Sequence, residues 1–238
     1  MVLGIDIGAV ISSGGTQFDD GTASGGTTLK AGIQIVGAGA VASGMTVLSG
    51  GTQYVSAGGS TTGTLLSGGR EQVLGAASGT VVGNGGSEYV SSGGIVSGAS
   101  ISGGTLELAS GAVDGSAPLS FTGSGGLILD ASVQFGGLVA GFGSASLSDT
   151  IDFRDIPFVA SGGTATTVSW TQLTSGANAS GTLTVSEGGH TANITLLGQY
   201  VAGNFTSSTD GHGGTLVTDP PVVANTDPNP LTLVHGQQ

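Results

Sequence analysis

Glycine pairs recur through the first half of the chain at a nearly fixed interval. Cutting before Gly14, Gly32, Gly50, Gly68, Gly85 and Gly103 yields six consecutive units, five of 18 residues and one of 17. A second glycine cluster falls near the middle of several units, at Gly25-Gly26, Gly58-Gly59 and Gly93-Gly94. A glycine every few residues is costly inside a helix, roughly 1 kcal/mol per site. It is favourable wherever the backbone must take positive φ. The segments between glycines carry β-favouring clusters such as Gln53-Tyr54-Val55, Thr64-Leu65-Leu66, Thr80-Val81-Val82, Glu88-Tyr89-Val90 and Thr105-Leu106-Glu107-Leu108. A fixed period with apolar residues in register marks a repeat architecture.

The expected fold is therefore all-β: a right-handed parallel β-helix, a solenoid of about 18 residues per coil, with a β-rich C-terminal cap. Two strands and two glycine corners per unit close one coil. Like positions then stack at roughly 4.8 Å. One coil has no core of its own, whereas stacked coils share a ladder of Val, Leu, Ile and Ala. The expected organisation is a glycine-rich β-helix over 1–145, a β-rich capping module over 146–219, and a Pro-rich tail or linker over 220–238. Past Pro118 the strict period fades. From Leu147 longer alternating segments appear, including Thr182-Leu183-Thr184-Val185 and Asn193-Ile194-Thr195-Leu196. Alternation of this kind indicates strands with one buried face.

The segments SGGTQYVSAGG (Ser49 to Gly59) and GGSEYVSSGG (Gly85 to Gly94) resemble the AIDA-type repeat of bacterial autotransporter adhesin passengers, GGxxxVxxGGxxxxxxVxx. The resemblance covers about residues 14 to 115. It implies a right-handed parallel β-helix on a bacterial surface or in a secreted protein, with adhesion and autoaggregation as the associated roles. The stretches LLGQYVAGNF and DGHGGTLV are similar to a C-terminal module that follows glycine-rich repeats in large secreted or surface proteins of alphaproteobacteria. That resemblance implies a cap on the solenoid.

Composition narrows the function. The 238-residue chain has 3 Lys+Arg against 15 Asp+Glu, a net charge of -12, and only 8% charged residues. Three cations do not neutralise a phosphate backbone, so nucleic acid is excluded as a partner. The absence of Cys excludes disulfides, thiolate metal sites and Cys nucleophiles. There is no apolar run long enough for a transmembrane helix. The start, Met1-Val-Leu-Gly-Ile-Asp-Ile, has no basic segment ahead of its apolar residues and does not read as a secretory signal.

Three groups of residues are candidates for chemistry. Glu71, Glu88 and Glu107 sit near one repeat position and are expected to form a ladder on an outer face. With Tyr54 and Tyr89, one repeat position two coils apart, they make up the expected binding face. Asp149, Asp152 and Asp155, with Asp130 nearby, form a triplet of hard oxygen ligands of the kind that suits calcium; capping of turns and strand starts is the competing reading. No Lys or Arg recurs beside the repeat carboxylates, so no catalytic residues and no cofactor other than calcium are expected. The functional expectation is a non-enzymatic extracellular or cell-surface protein, an adhesin or matrix or filament component, assembling as a homo-oligomer, with a host or matrix glycan as partner. A carbohydrate-binding or carbohydrate-active β-helix, and a passenger segment of a longer secreted precursor, are the alternatives.

Overall fold

The computed structural model describes residues 4–28, 31–143 and 148–219. The 220–238 tail therefore lies outside the described residues. The chain winds as a parallel β-solenoid in which the regular coils contribute one strand to each of three sheets, or faces. Among the described residues, face I contains seven strands, from Ile5–Ile7 to Val113–Asp114. Face II begins at Val10–Ile11 and runs in parallel to Leu138–Ala140. Face III begins at Thr16–Asp19 and runs in parallel to Asp149–Pro157.

Three strands per coil corrects the expected two. The additional strand is that of face I, whose rungs are short and small: Thr22–Ser24, Val41–Ser43, Ser60–Thr62 and Ala76–Ser78. Close to glycine on both sides, such triplets look like turn sequence. Each nevertheless places its middle residue, Ala23, Ala42, Thr61 or Ala77, in the interior. There are correspondingly three corners, and glycines with φ between about 60° and 80° occupy them, as at Gly58, Gly63 and Gly68 in one coil.

The glycine pairs divide two tasks. Gly68 has a φ of 77°, which only glycine takes at no steric cost. Gly69 has ordinary φ, but a Cβ there would lie 2.5 Å from the carbonyl oxygen of Val47 on the coil beneath. Where the pair is incomplete, Ala31 takes the corner with a φ of 56°.

The strands 119–121, 125–129 and 138–140 continue the stack with wider separations along the chain, as expected for the less regular stretch. The cap is not a separate body. The hairpin of Ser180–Glu187 and His190–Leu197 turns at Gly188, and its second strand adds in parallel to Leu138–Ala140 of face II. Gly214–Thr218 adds antiparallel to Asp149–Pro157 of face III. One apolar core runs from Val55 through Leu106, Leu127 and Phe153 to Ile194 and Val217 in the cap. Aromatic rings seal its end: Phe142 lies 5.4 Å from Phe121 and 6.4 Å from Phe205, and Trp170 lies 5.0 Å from Tyr200.

Candidate binding face and the buried polar column

The four-residue strands of face III alternate strictly, and the register aligns them. Val36, Val55, Val73 and Val90 point inward at the fourth position. Alternation then sends the second position inward and the first and third outward. The third position builds an outer column of Phe18, Ile35, Tyr54, Gln72, Tyr89 and Glu107. Tyr54 and Tyr89 flank Gln72, so their attachment points are roughly 10 Å apart. Arg70 stands beside Gln72 on the same surface and is exposed. Two shallow grooves follow this column. One, about 320 Å³, lies between Tyr54, Arg70, Gln72 and Ser87 and the glycine corners at Gly50, Gly68 and Gly85. The other, about 380 Å³, lies between Arg70, Gln72, Tyr89, Thr105 and Glu107.

Of the expected face, Tyr54, Tyr89 and Glu107 share this column. Glu71 and Glu88 do not, which corrects the expected outer ladder: both occupy the second position, pair with each other in register, and are 0% and 1% exposed. Glu88 is followed in its column by Leu106, not by Glu107. The inward valines reveal this parity from sequence alone.

The inner column is polar at one end and apolar at the other. It reads Gln17, Gln34, Gln53, Glu71, Glu88, and then Leu106, Leu127, Ile151. Its side chains are linked. Gln17 Nε2 donates to Asp6 Oδ2 at 2.9 Å and to Asp19 Oδ1 at 2.6 Å. Gln34 Nε2 donates to Asp19 Oδ2 at 2.7 Å, and Gln53 Nε2 donates to Gln34 Oε1 at 2.7 Å. Thr64 Oγ1 donates to Gln53 Oε1 at 3.1 Å. Thr61 and Thr80 hydroxyls donate to Glu71 at 2.8 and 3.1 Å, one to each carboxyl oxygen. Among the described residues, neither oxygen of Glu88 has a hydrogen-bond partner, the Thr80 hydroxyl being committed to Glu71. Burial raises the pKa of both carboxyls, and Glu71 pushes Glu88 up further, against a smaller pull from the Thr80 hydroxyl.

No family model and no curated protein matches the chain. A solved structure to which it is similar is that of the TibC-catalyzed hyper-glycosylated TibA55-350 fragment. The identity is 26%, the TM-score is 0.37, and the match covers 60% of this chain and 70% of that one.

The aspartate triplet lies on one strand, where a spacing of three sends side chains to different sides and far apart. Asp149 Oδ2 accepts from the Gly143 amide at 3.0 Å. Asp155 accepts from the Ser132 hydroxyl and from the Val133 amide at 3.2 Å. Asp152 faces Arg154, whose Nε is 3.6 Å away. Burial, then Asp210, push Asp152 up to about 6 against the pull of Arg154 and His212. Arg154 also meets Glu107 at 2.6 Å and Asp130 at 3.0 Å. Among the described residues, no three His, Asp or Glu side chains converge as a metal-binding group. No helix among them is long and apolar enough to cross a membrane.

Proposed function

We propose that the chain is a non-enzymatic structural segment of a secreted or cell-surface protein, an adhesin or extracellular matrix component, and that the outer side of face III is its contact surface. The observation that carries this reading is the in-register outer column in which Tyr54 and Tyr89 border two grooves with Gln72 and Arg70 between them. Aromatic rings at a fixed separation offer stacking surfaces, while the amide and guanidinium offer directional hydrogen bonds. A glycan chain lying along the stack fits both. The cap that closes the far end, with its QYVAGNF and DGHGG segments, is read as the terminal module of such surface proteins.

The test is binding of the full chain to an array of host and matrix glycans, compared with Y54A, Y89A and R70Q. Loss of a defined glycan signal in these variants, with unchanged unfolding curves, supports the reading. Binding that ignores all three substitutions, or no binding to any glycan, counts against it.

A second reading, self-association end to end, is favoured by the first coil. Ile5–Ile7, Val10–Ile11 and Thr16–Asp19 are the terminal strands of their sheets among the described residues. Unpaired strand edges invite pairing with another chain. Electron microscopy with and without calcium distinguishes filaments from isolated rods.

A further inference from the structure

Glu71 and Glu88 are the two acids of the inner column, one rung apart, roughly 4.8 Å between their backbones. Among the described residues, no cation faces them. The groups that do are the amide of Gln53 from the preceding rung, the hydroxyls of Thr61, Thr64 and Thr80 from faces I and II and their corners, and Leu106 from the following rung. The charged neighbour acting on Glu88 is Glu71 itself. The other buried or half-buried acids, Asp19, Asp114, Asp149, Asp152 and Asp219, lie on segments that do not pair with 70–73 or 87–90.

Two ionised carboxylates at this separation, out of reach of water, are not sustainable: each lacks solvation, and they repel. The hydrogen bonds indicate how the conflict is resolved. Glu71 receives hydroxyl protons on both oxygens, which suits a carboxylate. The Thr80 hydroxyl, though near Glu88, is bonded to Glu71, so neither Glu88 oxygen accepts a hydrogen bond, which suits a carboxylic acid that donates its own proton.

We propose that Glu71 and Glu88 form one acid–carboxylate pair sharing a proton inside the solenoid, and that this pair makes the middle coils an acid-stabilised joint that loosens as the shared proton is lost. The sign follows from linkage. In the unfolded chain both side chains ionise from about pH 4.5 upward, the ordinary glutamate value. The folded pair keeps its proton beyond that point. The folded state therefore binds more protons, and stability falls with rising pH until the pair ionises. Its contribution is present in full below the unfolded value. Each retained proton lowers the folding constant roughly tenfold per pH unit across the window.

The experiment compares urea unfolding of the full chain and of E71Q/E88Q between mildly acid and mildly alkaline pH. Asp114, Asp152 and Asp219, which burial also raises to about 6, contribute the same background to both chains. The expected result is a steeper fall with pH in the wild type, by roughly a factor of ten per unit, and its loss in the double variant. E88Q alone places an amide donor where the acid proton sits, and is expected to reduce the extra slope while staying folded, the remainder coming from the buried Glu71 carboxyl. Identical slopes in wild type and variants overturn the proposal. So does a stability at alkaline pH that added calcium or sodium restores in the wild type but not in E71Q/E88Q, because the occupant is then a metal cation. Should the variants not fold, infrared spectra of the wild type decide. A carboxylic-acid band persisting just above neutral pH is expected, and its absence overturns the pair.

Discussion

The first five rungs of face III and the last three share one backbone path and one register, yet their inner columns are chemically opposite. Gln17, Gln34, Gln53, Glu71 and Glu88 fill the first part, and Leu106, Leu127 and Ile151 fill the second. The strand pairing does not change where the column switches. The coil is therefore set by the corners and the backbone ladder, and the column only has to be self-consistent. In one part that means burial. In the other it means that the amide and hydroxyl donors find acceptors on the same rung, the adjoining rung or a neighbouring face.

The largest effect is expected where burial works alone. Leu127 is fully buried between Leu106 and Ile151. L127A should cost about 2–5 kcal/mol, read as a lower urea midpoint with little change in slope. In the polar part a substitution acts differently. Q53L removes the donor to Gln34 Oε1 and the acceptor for Thr64. The cost should be about 1–3 kcal/mol, mostly from the groups left unpaired. Adding Q34L should then cost less than its effect in the wild type, because Gln34 no longer presents an oxygen that needs a donor. A double-mutant cycle measures this coupling. Additive penalties would mean that the two glutamines do not act as a linked ladder.

A smaller effect, of opposite sign, tests the corners. Ala31 takes a positive φ at a corner where neighbouring coils have glycine. A31G should raise the unfolding free energy by up to about 1 kcal/mol, since the relief of the left-handed alanine exceeds the added chain entropy. The corresponding change at a corner already built for glycine, G58A with its φ of 80°, should lower it. Urea midpoints of the two variants give both signs.

Much of this is legible in the sequence. The period, the glycine corners and the shared position of Tyr54 and Tyr89 follow from spacing. The third strand is hidden, because triplets such as Ser-Thr-Thr and Ala-Ala-Ser have no apolar cluster and gain their strand character from stacking. The expected glutamate ladder is off by one residue of parity. Aligning TQYV, REQV, SEYV and TLEL on their last, inward residue puts Glu71 and Glu88 inside and Glu107 outside. What no spacing could reveal is the separation of Asp149, Asp152 and Asp155. A triplet at spacing three converges on a helix, whereas a strand distributes it to three sets of partners.

The inner column of the apolar part holds no charge, and an ion-pair network lies on the other side of its strands, in contrast with the buried glutamates. Arg154 joins Glu107 and Asp130 on the outer surface of face III, with the arginine side chain 37% exposed, and reaches the buried Asp152 from there. Exposed ion pairs gain little, because solvent screens them and two long side chains must be held in place. R154Q should therefore cost no more than about 1 kcal/mol, far less than L127A on the adjacent rung. High salt should remove most of that difference, since exposed charges are the ones it screens. The variant should also free Asp152 from the guanidinium that opposes its burial and the Asp210 charge. Its carboxyl should then titrate higher than about 6, which an NMR titration of the side chain can follow. A large, salt-independent loss of stability in R154Q would mean that this outer network, and not the leucine column, holds the last rungs of the stack together.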